Sequence, residues 1–384
     1  MRASHGVRIL VVCLAVALAG CAGHESRALL TGTVAAADEI AGRHDILVAT
    51  TRAKTSEKAE VFGGARGQGL TFARVEVTVP SVHESGRIER PRSGATDPAR
   101  HFSAAQVALY PEAGAFDADL ARRLKASGGR ALVFIHGYRT RFDAAVYRAA
   151  QIVHDSGYAG TPVLFSWASA GRTVDYIYDN NSATIARDAL ERTLRTIAAS
   201  GATRIDIVAH SMGNWVLMEA LRQLAITGDE SLHGKLADVV LASPDIDLDV
   251  FKSQLLRIGK PERPFFVMVS ADDRALRLSS VIAGNRPRLG DYTKAEDLAQ
   301  LGVIVVDLTA ISAGDSLNHA KFADNPILVR LLGERLRDGT TLDGSNGIAE
   351  RIELLARGVG TTVTSAAEIV ITTPIEVISV AIGN

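Results

Sequence analysis

From residue 130 onward, short apolar runs rich in β-branched residues alternate with longer segments whose apolar positions recur every three or four residues. Unbroken apolar runs predict strands buried on both faces, and the periodic segments predict amphipathic helices between them. Because such strands pair in parallel through right-handed crossovers, the pattern predicts a doubly wound, mostly parallel α/β sheet. The predicted strands span residues 131–135, 162–165, 205–209, 239–242, 265–269 and 303–306.

The part of the domain before residue 130 has a different pattern. Residues 46–50 predict a first strand, and apolar residues alternate with polar ones over 73–79, which is typical of a half-buried antiparallel strand. The main domain is predicted to span residues 45–338. The segment between the strands at 239–242 and 265–269 is too short for a large cap domain. Residues 339–384, rich in Gly, Thr and Ser, are predicted to form a peripheral appendage.

The N-terminus has the features of a secretory signal. Arg2 and Arg8 flank the start of an apolar run over residues 9–19, and Cys21 follows a Leu-Ala-Gly sequence that resembles the lipobox of bacterial lipoproteins. We therefore expect a signal peptide at 1–20, lipid on Cys21 and a tether over 21–44. The expected location is the bacterial cell envelope, with the outer membrane favoured where one exists because Ala22 follows the cysteine.

Charge and metal-ligand patterns limit the function classes. The 42 basic residues nearly balance the 43 acidic ones, so we expect no nucleic-acid partner. The ten histidines show no His-Glu-x-x-His spacing, and no Cys-x-x-Cys occurs, so neither a metal nor another cofactor is predicted. Cys13 would leave with the signal peptide, so the mature body would contain no disulfide and no catalytic thiol.

Ser211 lies in the one segment with a clear chemical signature. Ala209-His210-Ser211-Met212-Gly213 connects a buried strand to a helix, with small residues two positions before and after the serine. Small flanking residues allow the sharp turn in which a nucleophilic serine projects above the sheet. Ala209 occupies a position that is usually glycine.

A serine hydroxyl needs a base with a pKa near neutrality, and histidine is suited to that task. Only His233 and His319 follow Ser211 in the chain. His233 lies in a polar loop flanked by glycine, whereas His319 comes shortly after the last predicted parallel strand. His319 is therefore the predicted base, because the triad order in this type of fold is serine, acid, histidine.

The acid that orients the histidine is expected near residue 270, after the strand at 265–269. Asp273 is the preferred candidate because apolar positions follow it after a short interval. Asp272, one position earlier, and Asp245, after the preceding strand, remain as alternatives.

Acyl transfer also needs backbone donors for an oxyanion. Met212 is one predicted donor, and the amide of Tyr138 is the other, because Gly137 lets the loop approach the reacting carbonyl closely. Gly137, Trp167 and Tyr176 are predicted to bind substrate in an open site.

These segments resemble the α/β-hydrolase superfamily, and within it a group of poorly characterised bacterial esterase-like and lipase-like proteins. The resemblance covers roughly residues 45–337 and implies a serine hydrolase of esterase type acting on a small or lipid-like ester. The segments that carry it are FIHGY at 134–138, FSW at 165–167, AHSMG at 209–213, SPDID at 243–247 and DRAL at 273–276.

Two other functions stay open at this point. The fold could serve an inactive envelope lipoprotein as an interaction scaffold, since fold alone does not establish activity. An amidase or a thioesterase would use the same triad. Reaction with a fluorophosphonate probe distinguishes the scaffold from all three enzymes.

Overall fold

The computed structural model describes residues 34–56, 60–91, 95–312, 314–338 and 367–382. The predicted signal peptide, Cys21 and the first part of the predicted tether lie outside the described residues. Within them, no helix is both long enough and apolar enough to cross a membrane.

The strands of the described residues form one sheet with the order β11-β10-β9-β8-β7-β6-β4-β5-β1-β2-β3. Neighbouring strands are parallel from β9 to β1, and both ends of the sheet are antiparallel. This arrangement confirms the predicted α/β fold class with its antiparallel N-terminal part. The bounds are β1 Ile40–Lys54, β2 Phe62–Pro80, β3 Ser103–Leu109, β4 Arg130–Ile135, β5 Thr161–Ser166, β6 Arg204–His210, β7 Leu236–Ala242, β8 Phe266–Val269, β9 Ile304–Asp307, β10 Ala367–Thr372 and β11 Val377–Ile382.

Helices cover both faces of the sheet, as continuous apolar strands require. Helices α2, α8 and α9 pack on one face, and α1, α3, α4 and α5 pack on the other. Between β7 and β8 the chain holds only α5, so no cap domain is inserted there. The helix bounds are α1 Ala113–Ala126, α2 Phe142–Ser156, α3 Tyr176–Ala199, α4 Gly213–Ile226, α5 Leu248–Ile258, α6 Arg274–Ile282, α7 Ala295–Ala299, α8 Lys321–Asp324 and α9 Pro326–Asp338.

The edges of the sheet differ from the sequence-based prediction. β1 begins at Ile40, before the predicted domain start at residue 45, and β3 was not predicted. The predicted appendage contains the hairpin β10–β11, which pairs with β9 and extends the central sheet. Ile369 and Ile371 are fully buried in the same core as α2. This hairpin is therefore part of the main domain.

The parallel strands determine where a site can form. β4, β6, β8 and β9 run in the same direction, so the loops that follow them meet at one edge of the sheet. Binding sites of open α/β sheets lie at this carboxyl edge. It is also where the predicted functional residues follow their strands.

Candidate active site

Ser211 occupies a sharp turn between β6 and α4. Its φ of 53° lies in the left-handed region, which is unusual for a residue with a side chain. The Ser211 amide donates to the Ala242 carbonyl (3.0 Å), and the Ser211 carbonyl accepts from Asn214 Nδ2 (2.9 Å). These bonds hold the strained turn against the end of β7.

Two glycines let the loop after β4 pack directly on this turn. A Cβ at Gly137 would lie 2.6 Å from Ser211 Cβ, and a Cβ at Gly213 would lie 2.5 Å from the His136 carbonyl oxygen. Neither distance is compatible with a side chain. The small residues of the motif are therefore explained by backbone packing, and Ala209 is fully buried beneath the turn.

His319 and Asp273 form a close pair after β9 and β8. Asp273 Oδ2 accepts a hydrogen bond from His319 Nδ1 at 2.7 Å. Asp273 Oδ1 accepts from the Leu276 amide at 3.0 Å, so this carboxylate also caps the N-terminus of α6. The Asp273 side chain is not exposed to solvent at all. Hydrogen bonds to both oxygens therefore fix the orientation of the Asp273 carboxylate.

The charge of Asp273 governs the histidine. Burial alone would lower the pKa of His319, but the carboxylates of Asp273, Asp245 and Asp315, with Asp273 contributing most, raise this pKa above its ordinary value of 6.5. The His319 amide also donates to Asp315 Oδ1 at 3.1 Å, which fixes the loop that carries the ring.

The alternative acids have other partners. Asp272 accepts hydrogen bonds from Lys321 Nζ at 2.6 Å and from Asn318 Nδ2 at 2.7 Å. Asp245 belongs to a second buried cluster, in which it pairs with Arg288 and accepts hydrogen bonds from the hydroxyls of Tyr176 and Ser279. The alternative base His233 is largely exposed and lies next to Asp229.

His210 connects the His319 loop to the serine turn. The two imidazole rings lie 4.7 Å apart, and His210 Nε2 donates to the His319 carbonyl at 3.2 Å. Burial and the neighbouring His319 lower the pKa of His210 well below 6.5. Among the described residues, no hydrogen bond joins Ser211 Oγ to His319. His210, the residue before Ser211, thus links the serine turn to the His319 loop.

The predicted oxyanion donors flank the contact between Gly137 and Ser211, since Tyr138 follows the first and Met212 follows the second. In the part of the chain that the structure describes, neither backbone amide donates a hydrogen bond to the protein. The described residues therefore leave the hydrogen-bonding capacity of both amides unused, although Met212 is fully buried.

A buried arginine from β1 holds the loop that carries Tyr138. Arg52 is 1% exposed. Its Nη2 donates to the Thr140 carbonyl at 2.6 Å, its Nη1 donates to the Ser169 carbonyl at 2.8 Å, and its Nε donates to Ser166 Oγ at 2.8 Å. His136 Nε2 lies 3.3 Å from Nη2. The sequence analysis missed Arg52, although a lone arginine inside an otherwise buried strand was a usable signal.

Asp179, on α3, holds the same loop from the other side. It accepts hydrogen bonds from the Arg139 amide (3.1 Å), the Ala170 amide (2.8 Å) and Ser169 Oγ (2.6 Å). Ser169 Oγ in turn accepts from the Thr140 amide at 3.0 Å. The loops after β4 and β5 are thus tied into one unit.

The predicted substrate-binding aromatics need correction. Trp167 is fully buried, its ring stacks on His136, and its Nε1 donates to the His136 carbonyl at 2.8 Å. It supports the loop from inside and cannot contact substrate. Tyr176 is 8% exposed and its hydroxyl lies in the Asp245 cluster. The Tyr138 ring is half-buried and packs edge-on against Tyr176 at 5.3 Å.

A cavity of about 750 Å³ lies on the α2 side of the turn. Gly137, His136 and His210 line its inner end, whereas Ser211 and His319 are not among its lining residues. An ion pair between Arg148 and Asp324 (2.8 Å) forms part of the wall. Of the predicted substrate-binding residues, Gly137 lines this cavity, whereas Trp167 and Tyr176 do not.

Several solved structures are similar to this chain. A lipase B from Aspergillus fumigatus has a TM-score of 0.34 and 16% identity, and the match covers 56% of this chain and 55% of the lipase. An esterase from Pyrobaculum calidifontis has a TM-score of 0.38 and 13% identity, with 78% of this chain and 87% of the esterase covered. A fungal esterase from Rhizomucor miehei has a TM-score of 0.36 and 12% identity, with 78% and 85% covered.

No curated protein matches the sequence. A family model does match it, over residues 112–335, which is more than half of the chain and contains the turn at Ser211, Asp273 and His319. The model is described as an alpha/beta hydrolase of unknown function (DUF900). The chain belongs to this family of α/β hydrolases.

Proposed function

We propose that the protein is a serine hydrolase that cleaves carboxylic esters through an acyl-enzyme intermediate. Ser211 is the proposed nucleophile, His319 the base, and Asp273 the acid that orients it. The observation that carries this proposal is the buried 2.7 Å contact between Asp273 and His319, whose ring lies 4.7 Å from that of His210, the residue before Ser211 with its left-handed φ. A serine that only capped the N-terminus of α4 would not require a paired histidine and carboxylate.

In the proposed reaction, neutral His319 Nε2 takes the proton of Ser211 Oγ while Oγ bonds to the ester carbonyl carbon. The carbonyl oxygen becomes an oxyanion that the Tyr138 and Met212 amides bind. His319 then passes its proton to the leaving alkoxide, and the acyl group stays on Ser211. His319 then deprotonates a water whose oxygen bonds to the acyl carbon, and it returns this proton to Ser211 Oγ as the bond from Oγ to that carbon breaks and the acid leaves. Serine and histidine would close their hydrogen bond when substrate binds, as catalytic groups often do.

The cavity next to Gly137 and His210 supports a role in holding one arm of the substrate. Its volume of about 750 Å³ accommodates a small acyl or alcohol group, and its wall includes the polar pair of Arg148 and Asp324. Amides and thioesters would react through the same steps, so the substrate panel must include them. The proposal favours esters because an alkoxide leaves without the additional activation that an amine needs.

We expect Ser211→Ala to abolish both fluorophosphonate labelling and hydrolysis of p-nitrophenyl acetate. The melting temperature should stay close to that of the wild type, because Ser211 Oγ makes no hydrogen bond to the described residues. Labelling gels, turnover and thermal denaturation provide the three readouts. A wild-type protein that does not react with the probe would support the scaffold alternative, and turnover retained in Ser211→Ala would exclude this nucleophile.

We expect Asp273→Asn to reduce turnover by about a thousandfold or more, because the orienting charge on His319 is lost. Asp272→Asn and Asp245→Asn serve as matched controls, since their carboxylates contact other partners. Both should retain far more activity. If Asp245→Asn or Asp272→Asn is the crippled variant, the acid has been assigned to the wrong strand or the wrong residue.

The pH profile tests the same pair independently. The base works when neutral, so kcat/KM should rise with pH through the pKa of His319 in the free enzyme. Asp273 raises this pKa, so the midpoint of the acid limb should lie above 6.5. In Asp273→Asn the residual activity should have its midpoint at lower pH. An unchanged midpoint would show that the ionisation seen in the acid limb of the profile does not belong to His319.

We expect Gly137→Ala to lower turnover by about a hundredfold, because the added Cβ displaces the loop that carries one oxyanion donor. That Cβ would lie 2.6 Å from Ser211 Cβ. Gly114→Ala is the control, since a Cβ there meets nothing within 4 Å and the residue lies in α1. Equal activity of both variants would contradict the close packing described for this turn.

We also propose that Cys21 carries a lipid that anchors the mature protein to the cell envelope. Several acyl chains on one residue give stable membrane association. In a bacterial host that processes lipoproteins, the wild type should sediment with membranes, and Cys21→Ser should become soluble or remain uncleaved. Metabolic labelling with a palmitate analogue reports the lipid directly. Wild-type sedimentation without label on Cys21 would contradict the proposal.

A further inference from the structure

Three potential metal ligands meet at the end of α2 farthest from the serine turn. His83 lies in the loop after β2, and His154 and Asp155 end the helix α2, which begins at the active-site edge with Phe142. The helix rise of about 1.5 Å per residue separates these two ends by roughly 18 Å. The cluster therefore lies away from the serine turn, next to the part of the cavity that Gly86 and Glu89 line.

The three side chains are positioned for one ion. One donor atom from each of His83, His154 and Asp155 lies within 4.8 Å of the others. The side chains of His83 and Asp155 are only 5% and 2% exposed, so both donors are already withdrawn from bulk water.

A second contact, made by another atom of the side chain, orients each candidate ligand. His83 Nδ1 lies 2.8 Å from Glu89 Oε2, and His154 Nδ1 lies 3.1 Å from His44 Nε2. Asp155 Oδ2 accepts hydrogen bonds from the Gly86 amide and from a glutamine on α2. A histidine whose second nitrogen is held by a carboxylate is characteristic of metal sites, because that partner fixes the ring and increases its basicity.

The atoms that would contact an ion are His83 Nε2, Asp155 Oδ1 and a ring nitrogen of His154, and the first two share a hydrogen bond in its absence. His83 Nε2 and Asp155 Oδ1 are 2.7 Å apart. Two ligands on a tetrahedral zinc ion are about 3.4 Å apart, so a modest opening of this contact admits the ion. A proton of His83 would leave as the metal binds.

Two carboxylates, those of Glu89 and Asp155, lie against the imidazole of His83. A mixed set of two imidazole nitrogens and one carboxylate oxygen suits Zn²⁺ and its neighbours better than Mg²⁺ or Ca²⁺, which prefer oxygen ligands.

We propose that His83, His154 and Asp155 bind a transition-metal dication of the zinc type, with water in the remaining coordination position. The ion would join the loop after β2 to the end of α2 and thereby stabilise the fold. Sequence spacing alone predicts no metal here, because 71 positions separate His83 from His154 and only the packing of the loop on α2 brings them together.

The test uses the mature chain without a histidine tag, stripped with a chelator and dialysed against Zn²⁺. We expect about one zinc ion per chain by elemental analysis, a rise of several degrees in melting temperature, and no comparable effect of Mg²⁺. His154→Gln should lose this uptake. His233→Asn, which removes an exposed histidine elsewhere, is the matched control and should bind zinc as the wild type does.

His154→Gln is the main variant because Glu89 and Asp155 both contact His83, so replacing His83 could unfold the loop. Without zinc, His154→Gln should hydrolyse p-nitrophenyl acetate as the wild type does. Absence of zinc uptake by the folded wild type, or equal uptake by His154→Gln, would overturn the proposal. Both outcomes are independent of ester hydrolysis, so they do not bear on the function proposed above.

Discussion

The close contact between the serine turn and the loop after β4 is the constraint on which the site depends. Gly137 and Gly213 leave no room for a Cβ between these two backbones. This packing holds Ser211 at a positive φ and brings the amides of Tyr138 and Met212 to either side of it. The strain in the turn is opposed by its hydrogen bonds to Ala242 and Asn214, so the sharp turn can persist in the folded protein.

Hydrogen bonds from the buried Arg52 hold the loop after β4 in this contact. A buried guanidinium is costly unless its donors are used, and Arg52 directs them at carbonyls and hydroxyls of the loops after β4 and β5. Burial lowers its pKa to about 10, so it stays cationic at neutral pH. Asp179 holds the same loops through their amides. The position of the Tyr138 amide thus depends on side chains from β1 and α3.

Local patterns predicted the parallel strands and the turn at Ser211, because continuous apolar runs and small flanking residues reflect local packing. They also ranked Asp273 before Asp272, and the two carboxylates do point to different partners. Long-range contacts were not accessible in this way. The hairpin after residue 366 is recognisable as part of the sheet only from its pairing with β9. The burial of Trp167 likewise depends on a long-range contact, the stacking of its ring on His136.

Three histidines meet near Ser211, and their surroundings give them different tasks. Burial, followed by the charge of Arg52, lowers the pKa of His136 to about 3, and burial beside His319 keeps the pKa of His210 well below 6.5. Both rings therefore stay neutral and act through hydrogen bonds. His319 alone has a buried carboxylate on Nδ1, and its pKa is raised. Of these three rings, His319 is therefore the one whose surroundings suit the proposed role of base.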